Sequence, residues 1–403
     1  MSQIEYDPEP DGPSATTLWW IAVGLSLGPA VSNGLARFAY GLLLPEMQAD
    51  LGWNYTQAGW INTANAIGYL IGSVLALALV RPLGPVRLFV WGMALTTLAL
   101  TGSALARDLE WLSFWRVMTG IGGAPVFIAG GAIASGIFVR DRTKNALVIA
   151  VYFGGGGLGM MITGLILPGF MQWFGQTGWP MAWLMLGLGS FLAFIPSFLA
   201  AEAAPRPVGK AGGQGGRLPV GAMLPALAAY FMFGLGYLIY ITFLIAWMRD
   251  QGFGVLLLSA TWAVMGLAVM LSPFVWRGVL ASAQGGRAIA LTSLAVGLGI
   301  LLPLTGGGTA AVIASALLMG GSFFMVPTAV TTFGRKNLPE PSWGASIALF
   351  TVVFSVGQIL GPVGAGWLAD MTGATDAGLL AAGVILLLGA LIGAVQQPLK
   401  QIH

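Results

Sequence analysis

Arg37 and Arg116 are two arginines inside long apolar stretches of this 403-residue chain. A guanidinium stays charged and is costly inside a lipid bilayer, so such a residue is typical of a functional site. Its planar fork binds a carboxylate through two parallel hydrogen bonds. The two arginines therefore favour a site for an organic anion or an oxyanion.

Counting along their helices places the two arginines at similar depth. Arg37 is about seven residues, roughly 10 Å, from its helix end, and Arg116 is about five residues, roughly 8 Å, from its own. All 14 acidic residues fall in tails, loops or helix ends. Two buried like charges repel, so a substrate carboxylate would stabilise them. Alternatively, each guanidinium binds helix-end carbonyls or reaches acidic groups at the membrane surface.

Polar side chains near Arg37 recur at helical spacing, three, four or seven residues apart. They form one face on each of the first two helices: Asn33, Arg37 and Tyr40 on the first, and Asn62, Asn65 and Tyr69 on the second. Such faces can line a water-filled cavity. Asparagines in a membrane also join helices by hydrogen bonds, so both roles stay open for Asn62 and Asn65.

An aromatic stripe of Tyr230, Phe233, Tyr237 and Tyr240 follows one face of the seventh helix. Opposite the arginines it would form a wall for an amphipathic or aromatic anion, which the tyrosine hydroxyls would orient. The same spacing also suits ordinary packing. With Gln358 of the eleventh helix, the predicted substrate-binding residues are Arg37, Arg116, Asn33, Tyr40, Asn62, Asn65, Tyr69, Tyr230, Tyr237, Tyr240 and Gln358.

The acidic residues leave energy coupling open. Proton symport usually uses a buried titratable carboxylate, and the nearest candidates, Glu46 and Asp50, are expected at the outer mouth. Facilitated diffusion and exchange with a counter-anion are the alternatives. The sequence contains no Walker loop, so we expect no direct use of ATP.

The composition predicts the elements that carry these residues. Hydrophobic residues make up 57% of the chain and charged residues 8%, whereas a soluble domain carries about a quarter charged residues. Twelve apolar runs approach the roughly 20 residues that a bilayer-spanning helix needs. The glycines from Gly154 to Gly159 lie within the fifth apolar run and predict either tight helix packing or a flexible point for rocking. We predict an all-α membrane protein of twelve transmembrane helices.

The helices divide into two halves that resemble each other. A Pro/Gly/basic stretch predicts a flexible cytoplasmic linker over 202–220, between six-helix bundles at 18–201 and 221–403, after a disordered acidic tail at 1–17. An offset of about 200 residues pairs Gly34 with Gly234 and Tyr40 with Tyr240, as in parallel repeats. The same offset pairs Arg37 with Tyr237, so the halves differ chemically.

The basic residues predict the orientation and exclude some functions. Most of the 17 lysines and arginines, Arg335 among them, fall in loops on one side, which places both termini in the cytoplasm, in a bacterial inner membrane. They form no cluster, which argues against nucleic-acid binding. Without cysteine, and with His403 as the one histidine, we expect neither an enzyme nor a metal or cofactor site. We expect a monomer.

Several strings resemble the major facilitator superfamily. In the fourth helix, Arg116 followed by Gly120, Gly122 and Gly123 is similar to the superfamily's arginine with spaced glycines, which is linked there to proton coupling or substrate binding. The loop from Arg81 to Arg87 resembles the superfamily's second-to-third-helix motif without its aspartate. The strings 35–45 and 230–240 resemble its YbfB/YjiJ-type branch. The resemblance implies two pseudo-symmetric six-helix bundles.

We therefore expect a secondary or facilitative transporter that moves a small organic anion by alternating access. The anion would be a carboxylate with an aromatic or amphipathic body. The alternative is proton-coupled efflux of hydrophobic compounds, which the aromatic content favours. A membrane sensor or scaffold without transport is a third possibility.

Overall fold

The computed structural model describes residues 13–205 and 218–399, apart from the side chain of Arg142. Within these ranges, twelve helices are long and apolar enough to cross a membrane. They are α1 Ala15–Leu51, α2 Tyr55–Leu83, α3 Pro85–Ser103, α4 Leu109–Ala134, α5 Thr143–Phe174, α6 Gln176–Ala203, α7 Val220–Asp250, α8 Val255–Ser282, α9 Arg287–Thr305, α10 Gly308–Asn337, α11 Glu340–Thr372 and α12 Asp376–Ala394. The predicted all-α membrane fold is confirmed.

The helices form a first half, α1 to α6, and a second half, α7 to α12. In the first half α4 packs on α2 and α3, and in the second half α7 packs on α11 and α12. The halves meet where α2 contacts α11, α5 contacts α8 and α1 contacts α7. The predicted tail at 1–17 and linker at 202–220 fall mostly outside the described residues, so the predicted domain bounds stay a prediction.

The even number of helices brings both chain ends to one end of the molecule, here called the terminus end. The backbone N–H of Leu399 donates to Asn337 Oδ1 at 2.8 Å, which places the end of the described chain beside the loop between α10 and α11. The opposite end, where α1 stops and α2 begins, is called the far end.

Direct contacts between the halves close the far end. Asp370 of α11 accepts hydrogen bonds from the backbone N–H groups of Tyr55 and Thr56 at 2.8 and 2.9 Å. A β-carbon at Gly59 would lie 2.2 Å from the Pro362 carbonyl oxygen, so α2 and α11 touch there without a side chain between them. Small residues at such positions let membrane helices approach closely.

Helix α1 changes its type along its length: it is α-helical over Ala15–Pro29, π-helical over Ala30–Phe38 and α-helical again over Ala39–Leu51. Pro29 ends the first part, because its ring lacks an N–H and crowds the carbonyl four residues earlier. π-Helices are rare and occur often at functional sites. The counterpart α7 is α-helical throughout.

The glycines of α5 pack against helices on two sides. A β-carbon at Gly155 would lie 1.8 Å from the Ser26 oxygen of α1, and one at Gly157 would lie 2.4 Å from the Gly266 oxygen of α8. The predicted use of the glycine run in tight packing is confirmed. α5 therefore joins α1 of its own half to the second half.

Candidate functional site

A cavity of about 210 Å³ lies between the two halves. Its lining comes from α1, α2 and α4 on one side and from α7, α10 and α11 on the other. It runs from Arg37 and Tyr237, near the middle of their helices, to Arg335 and Trp343 beside the loop between α10 and α11. The cavity therefore extends from the middle of the molecule toward the terminus end.

Arg37 lies at the inner end of this cavity, in the π-helical part of α1. The residue is only 4% exposed, and its Cζ lies 4.9 Å from the centroid of the Tyr69 ring. This is the geometry of a cation–π contact. Its Nε and Nη2 atoms are buried and have no hydrogen-bond partner among the described residues. Leaving buried N–H groups unsatisfied is costly, so this guanidinium is suited to bind an acceptor from a ligand.

Two further polar groups of the first half face the same cavity. Asn33 lies one turn before Arg37, and Ser73 lies one turn after Tyr69. Asn33 Nδ2 and Ser73 Oγ are buried and lack a hydrogen-bond partner within the described part of the chain. Both can donate, as an anion requires. Ser73 was not among the predicted site residues, although its spacing of four residues from Tyr69 continues the predicted polar face of α2.

In the ranges 13–205 and 218–399, no carboxylate lines the cavity. The acidic residues of these ranges serve elsewhere, and several of them cap helices. Asp108 accepts a hydrogen bond from a backbone N–H of α4, and Asp141 accepts two from the start of α5. The bond from the Lys144 N–H lowers the pKa of the Asp141 carboxyl. The charge around Arg37 is therefore positive.

Aromatic rings form the side of the cavity opposite Arg37. Tyr230, Phe233 and Tyr237 of α7 stack in sequence, with centroids 5.9 and 4.9 Å apart. Phe354 of α11 stacks on these three rings at 4.7 to 5.8 Å, and Phe323 of α10 stacks on Tyr237 at 5.9 Å. The planes differ by 7° to 17°. The five rings, here called the aromatic wall, form an offset stack of nearly parallel rings.

Tyr237 adds a polar group to the aromatic wall. Gln358 of α11 donates from Nε2 to the Tyr237 hydroxyl, which leaves the phenolic hydrogen available for a further acceptor. Gln358 itself is buried behind the ring and is not part of the lining. The structure therefore brings Tyr237 to the cavity and gives Gln358 the role of orienting it.

Arg116 is fully buried in α4 and lies outside the cavity lining. Its Nη1 donates to the Ala36 carbonyl and its Nη2 to the Arg37 carbonyl at 3.5 Å. The guanidinium also lies 5.4 Å from the ring centroids of Tyr40 and Trp183. The fork of Arg116 therefore binds the backbone of the π-segment directly. Arg116 therefore binds backbone carbonyls, which the sequence left open as an alternative to substrate binding. Its contact with substrate stays a prediction.

Four further predicted residues face neighbouring helices, and the structure corrects their predicted place on the cavity. Each is buried and joins two helices by a hydrogen bond: Tyr40 to the Ala58 carbonyl, Asn62 to Thr242, Asn65 to Thr119 and Tyr240 to Ser315. The interhelical role left open for the two asparagines is the one observed. For Tyr40 the reason is the π-segment, whose wider turn changes the face on which the following residues emerge.

Glu46 and Asp50, the proton-coupling candidates, lie near the far end and outside the cavity lining. Glu46 is 3% exposed and forms an ion pair with Arg249 of α7, across the two halves. Asp50 accepts a hydrogen bond from Trp179 Nε1 at 2.8 Å. Their proton-coupling role stays a prediction. The contacts of Glu46 are those of a residue that holds the far end closed.

Arg335 lies at the mouth of the cavity, with its Cζ 5.6 Å from the Trp343 ring centroid. The pattern of basic residues predicted a loop position for Arg335, whereas α10 continues to Asn337 and carries Arg335 in its last turn. The side chain is exposed, so its charge is largely screened by solvent. The cavity thus has a buried guanidinium at its inner end and an exposed one at its mouth.

Comparison with known proteins assigns the family. Residues 29–394 match the family described as "Uncharacterised MFS-type transporter YbfB". This chain therefore belongs to that family of membrane transporters, as its sequence motifs predicted. The twelve-helix fold agrees with this assignment.

Among curated proteins, a putative metabolite transport protein of Haemophilus influenzae is 30% identical over 186 residues, 46% of this chain and 43% of the relative. The niacin transporter NiaP of Acinetobacter baylyi is 25% identical over 192 residues, 47% of this chain and 41% of that protein. The chain thus spans less than half the length of these two relatives. Monocarboxylate transporter 13 of Bos taurus is 26% identical over 409 residues, 96% of this chain and 90% of that protein.

A solved structure shares the fold over nearly the whole chain. It is the crystal structure of a bacterial homologue of the human lysosomal transporter Spinster, in an inward-facing and occupied conformation. It is 16% identical in sequence, with a TM-score of 0.71, and the match covers 95% of this chain and 97% of that one. At this identity the likeness concerns the fold alone.

Proposed function

We propose that this MFS-type transporter moves a small organic acid with a planar aromatic body, and that Arg37 binds its carboxylate. The observation that carries the proposal is the buried guanidinium of Arg37, a residue of the cavity lining whose Nε and Nη2 lack a hydrogen-bond partner in the described ranges. A carboxylate bound there would accept both hydrogen bonds and neutralise the charge. Asn33 Nδ2 and Ser73 Oγ would donate further bonds to the same ligand.

The aromatic wall supports a planar substrate body. A flat ring parallel to these rings can extend their stack, which a branched aliphatic body cannot. Two relatives carry names that fit this chemistry, since one is a niacin transporter and another a monocarboxylate transporter. The phenolic hydrogen of Tyr237 would bind an acceptor at the far side of the substrate ring.

The arrangement of the halves supports alternating access, in which the two halves rock about the central site. The cavity reaches toward the terminus end, while α1 with α7 and α2 with α11 are in contact at the far end. The basic residues place the terminus end in the cytoplasm. We propose that the structure represents an inward-facing state of a monomer in the inner membrane of a bacterium.

The test is ligand binding to the purified protein, measured as a thermal shift and by calorimetry. Benzoate and nicotinate are expected to stabilise the wild type. Cyclohexanecarboxylate, which keeps the charge and loses the flat ring, should bind more weakly, and benzamide, which keeps the ring and loses the charge, should bind weakest.

Arg37→Gln should weaken benzoate binding by about 30-fold or more, because removing one partner of a buried charge pair costs about 2–5 kcal/mol. Arg37→Lys should recover part of the loss, since it keeps the charge without the fork. Tyr240→Phe is the matched control, because Tyr240 is buried outside the lining. Equal binding of benzoate by the wild type and Arg37→Gln would overturn the proposal.

Efflux of hydrophobic compounds is the second candidate, and the five-ring aromatic wall favours it. In that case tetraphenylphosphonium should stabilise the wild type and Arg37→Gln alike, and the carboxylates should have no effect. The cavity lining argues against a cationic cargo, since it carries Arg37 and Arg335 and, in the described part of the chain, no carboxylate.

A further inference from the structure

The cavity lining carries a buried positive charge, which any movement between transport states has to accommodate. Arg37 is buried at the inner end, and every acidic residue of the described ranges lies outside the lining. Asp370 is bound to the start of α2, Asp50 to Trp179, and Glu46 to Arg249. Among the residues that the structure describes, none supplies a fixed counter-charge to this guanidinium, which is left to the Tyr69 ring and to water entering through the cavity.

Alternating access requires the terminus end to close before the far end opens. Closure expels water from around Arg37 and leaves its charge in a low-dielectric interior, which is strongly unfavourable for an unpaired ion. A bound carboxylate removes this cost, because the pair is neutral and both N–H groups are satisfied. The loaded protein thus has a lower barrier to closure than the empty protein.

We infer that this transporter works as an anion exchanger, in which the loaded form crosses between its two states quickly and the empty form crosses slowly. The inference rests on the proposed binding of a carboxylate by Arg37. In such an exchanger one organic anion leaves as another arrives. A substrate carboxylate is then bound to Arg37 whenever the protein crosses quickly between its two states. No protonation of the protein is needed, which fits the distance of Glu46 and Asp50 from the cavity lining.

The experiment uses proteoliposomes that contain radiolabelled benzoate, with the membrane potential clamped by potassium and valinomycin so that net anion flux is not limited by charge. Efflux is measured into buffer alone and into buffer with unlabelled benzoate. We expect exchange to be about tenfold faster than net efflux or more, a barrier difference of at least 1.36 kcal/mol. Equal rates in the two buffers would overturn the inference.

Asn33→Asp sharpens this test by supplying the missing counter-charge. Position 33 lies one turn from Arg37 on the cavity lining, so its carboxylate can pair with the guanidinium in the empty state. The ratio of exchange to net efflux should fall toward one. Thr331→Asp is the matched control, because it places a carboxylate one turn from Arg335 at the mouth and should leave the ratio unchanged. An unchanged ratio in Asn33→Asp would contradict the inference.

A second measurement needs no substrate flux. The chain contains no cysteine, so Ala58→Cys, fully buried near the far end, reports the opening of that end through its reaction with an impermeant thiol reagent. Benzoate should accelerate the labelling, and Arg37→Gln should accelerate it without benzoate. A labelling rate that changes neither with benzoate nor with Arg37→Gln would overturn the inference. Failure of benzoate to bind at all would instead refute the proposed function, so the two failures are distinguishable.

Discussion

The two sides of the cavity are built from related helices with different chemistry. At the offset of about 200 residues, Arg37 of α1 corresponds to Tyr237 of α7, and both line the cavity near mid-helix. The first half supplies a guanidinium with Asn33 and Ser73, whereas the second half supplies the aromatic wall. The site thus lies at corresponding positions in the two halves, but its chemistry differs between them. The first half recognises charge, and the second half recognises shape.

The backbones of α1 and α7 differ as well as their side chains. α1 is π-helical over Ala30–Phe38, and Arg116 binds two of its carbonyls, while α7 is α-helical throughout and needs no such support. Tyr40 lies under the Arg116 guanidinium, whereas its counterpart Tyr240 shares a hydrogen bond of 2.6 Å with Ser315 of α10. The charged half thus carries a π-helical segment and a buried cation, and the aromatic half carries neither feature at these positions.

The largest effect is expected from Arg116→Gln. The change removes the fork that binds the Ala36 and Arg37 carbonyls, and a buried acceptor left without a partner costs about 1–3 kcal/mol. The melting temperature should fall by several degrees, and benzoate affinity should fall with it, because Arg37 loses its support. Arg116→Lys should recover less than half of the loss. Ser315→Ala, at the corresponding site of the second half, should have a small effect, and a larger effect there would break the comparison.

Gly34 and its counterpart Gly234 test a feature that the two halves share, which is the close approach of a neighbouring helix at a glycine. A β-carbon added at Gly34 would lie 2.4 Å from Gly159 Cα, and one added at Gly234 would lie 2.4 Å from the Phe354 carbonyl oxygen. Gly34→Ala and Gly234→Ala should each destabilise the protein by about 1–3 kcal/mol through overpacking, as measured by thermal unfolding. Gly364→Ala, where no atom lies within 4 Å, is the control. Strongly unequal losses would show that the two halves do not share this packing.

Glu46→Gln tests the junction between the halves. It removes the ion pair with Arg249, whose side chain is 34% exposed, so we expect the far-end contact to weaken by about 1–2 kcal/mol. Spin labels placed across the far end should report a larger open fraction. The double variant Glu46→Gln, Arg249→Gln should resemble the single one. An open fraction equal to that of the wild type would show that the pair does not hold the far end.

The smallest effect is expected from Tyr237→Phe. This change keeps the stacked ring and removes one neutral hydrogen-bond donor, which is worth about 1 kcal/mol, or roughly fivefold in affinity. Calorimetry should show the loss for nicotinate, whose ring nitrogen can accept a hydrogen bond, and a smaller change for benzoate. Tyr240→Phe should change neither affinity. A loss as large as that of Arg37→Gln would contradict the division of work between the halves.

Much of the fold was accessible from the sequence, since apolar length, basic loops and the repeated Gly and Tyr positions predicted twelve helices in two halves. The site was accessible only in part. Arg37, Asn33, Tyr69, Tyr230 and Tyr237 lie where they were expected, because each sits on a helix face that regular spacing identifies. Ser73 and Arg335 were missed, one because its hydroxyl is inconspicuous among apolar neighbours and the other because its helix is longer than expected.

The sequence by itself determined that Arg37 and Arg116 lie within membrane-spanning helices, because long apolar runs flank each of them. Only the tertiary structure decided that one charge faces the cavity and the other supports it. The π-segment of α1 changes the face on which residues emerge, and Arg116 binds the Ala36 and Arg37 carbonyls of that segment. Spacing along a chain does not reveal such a change in helical turn, which arises from contacts between helices.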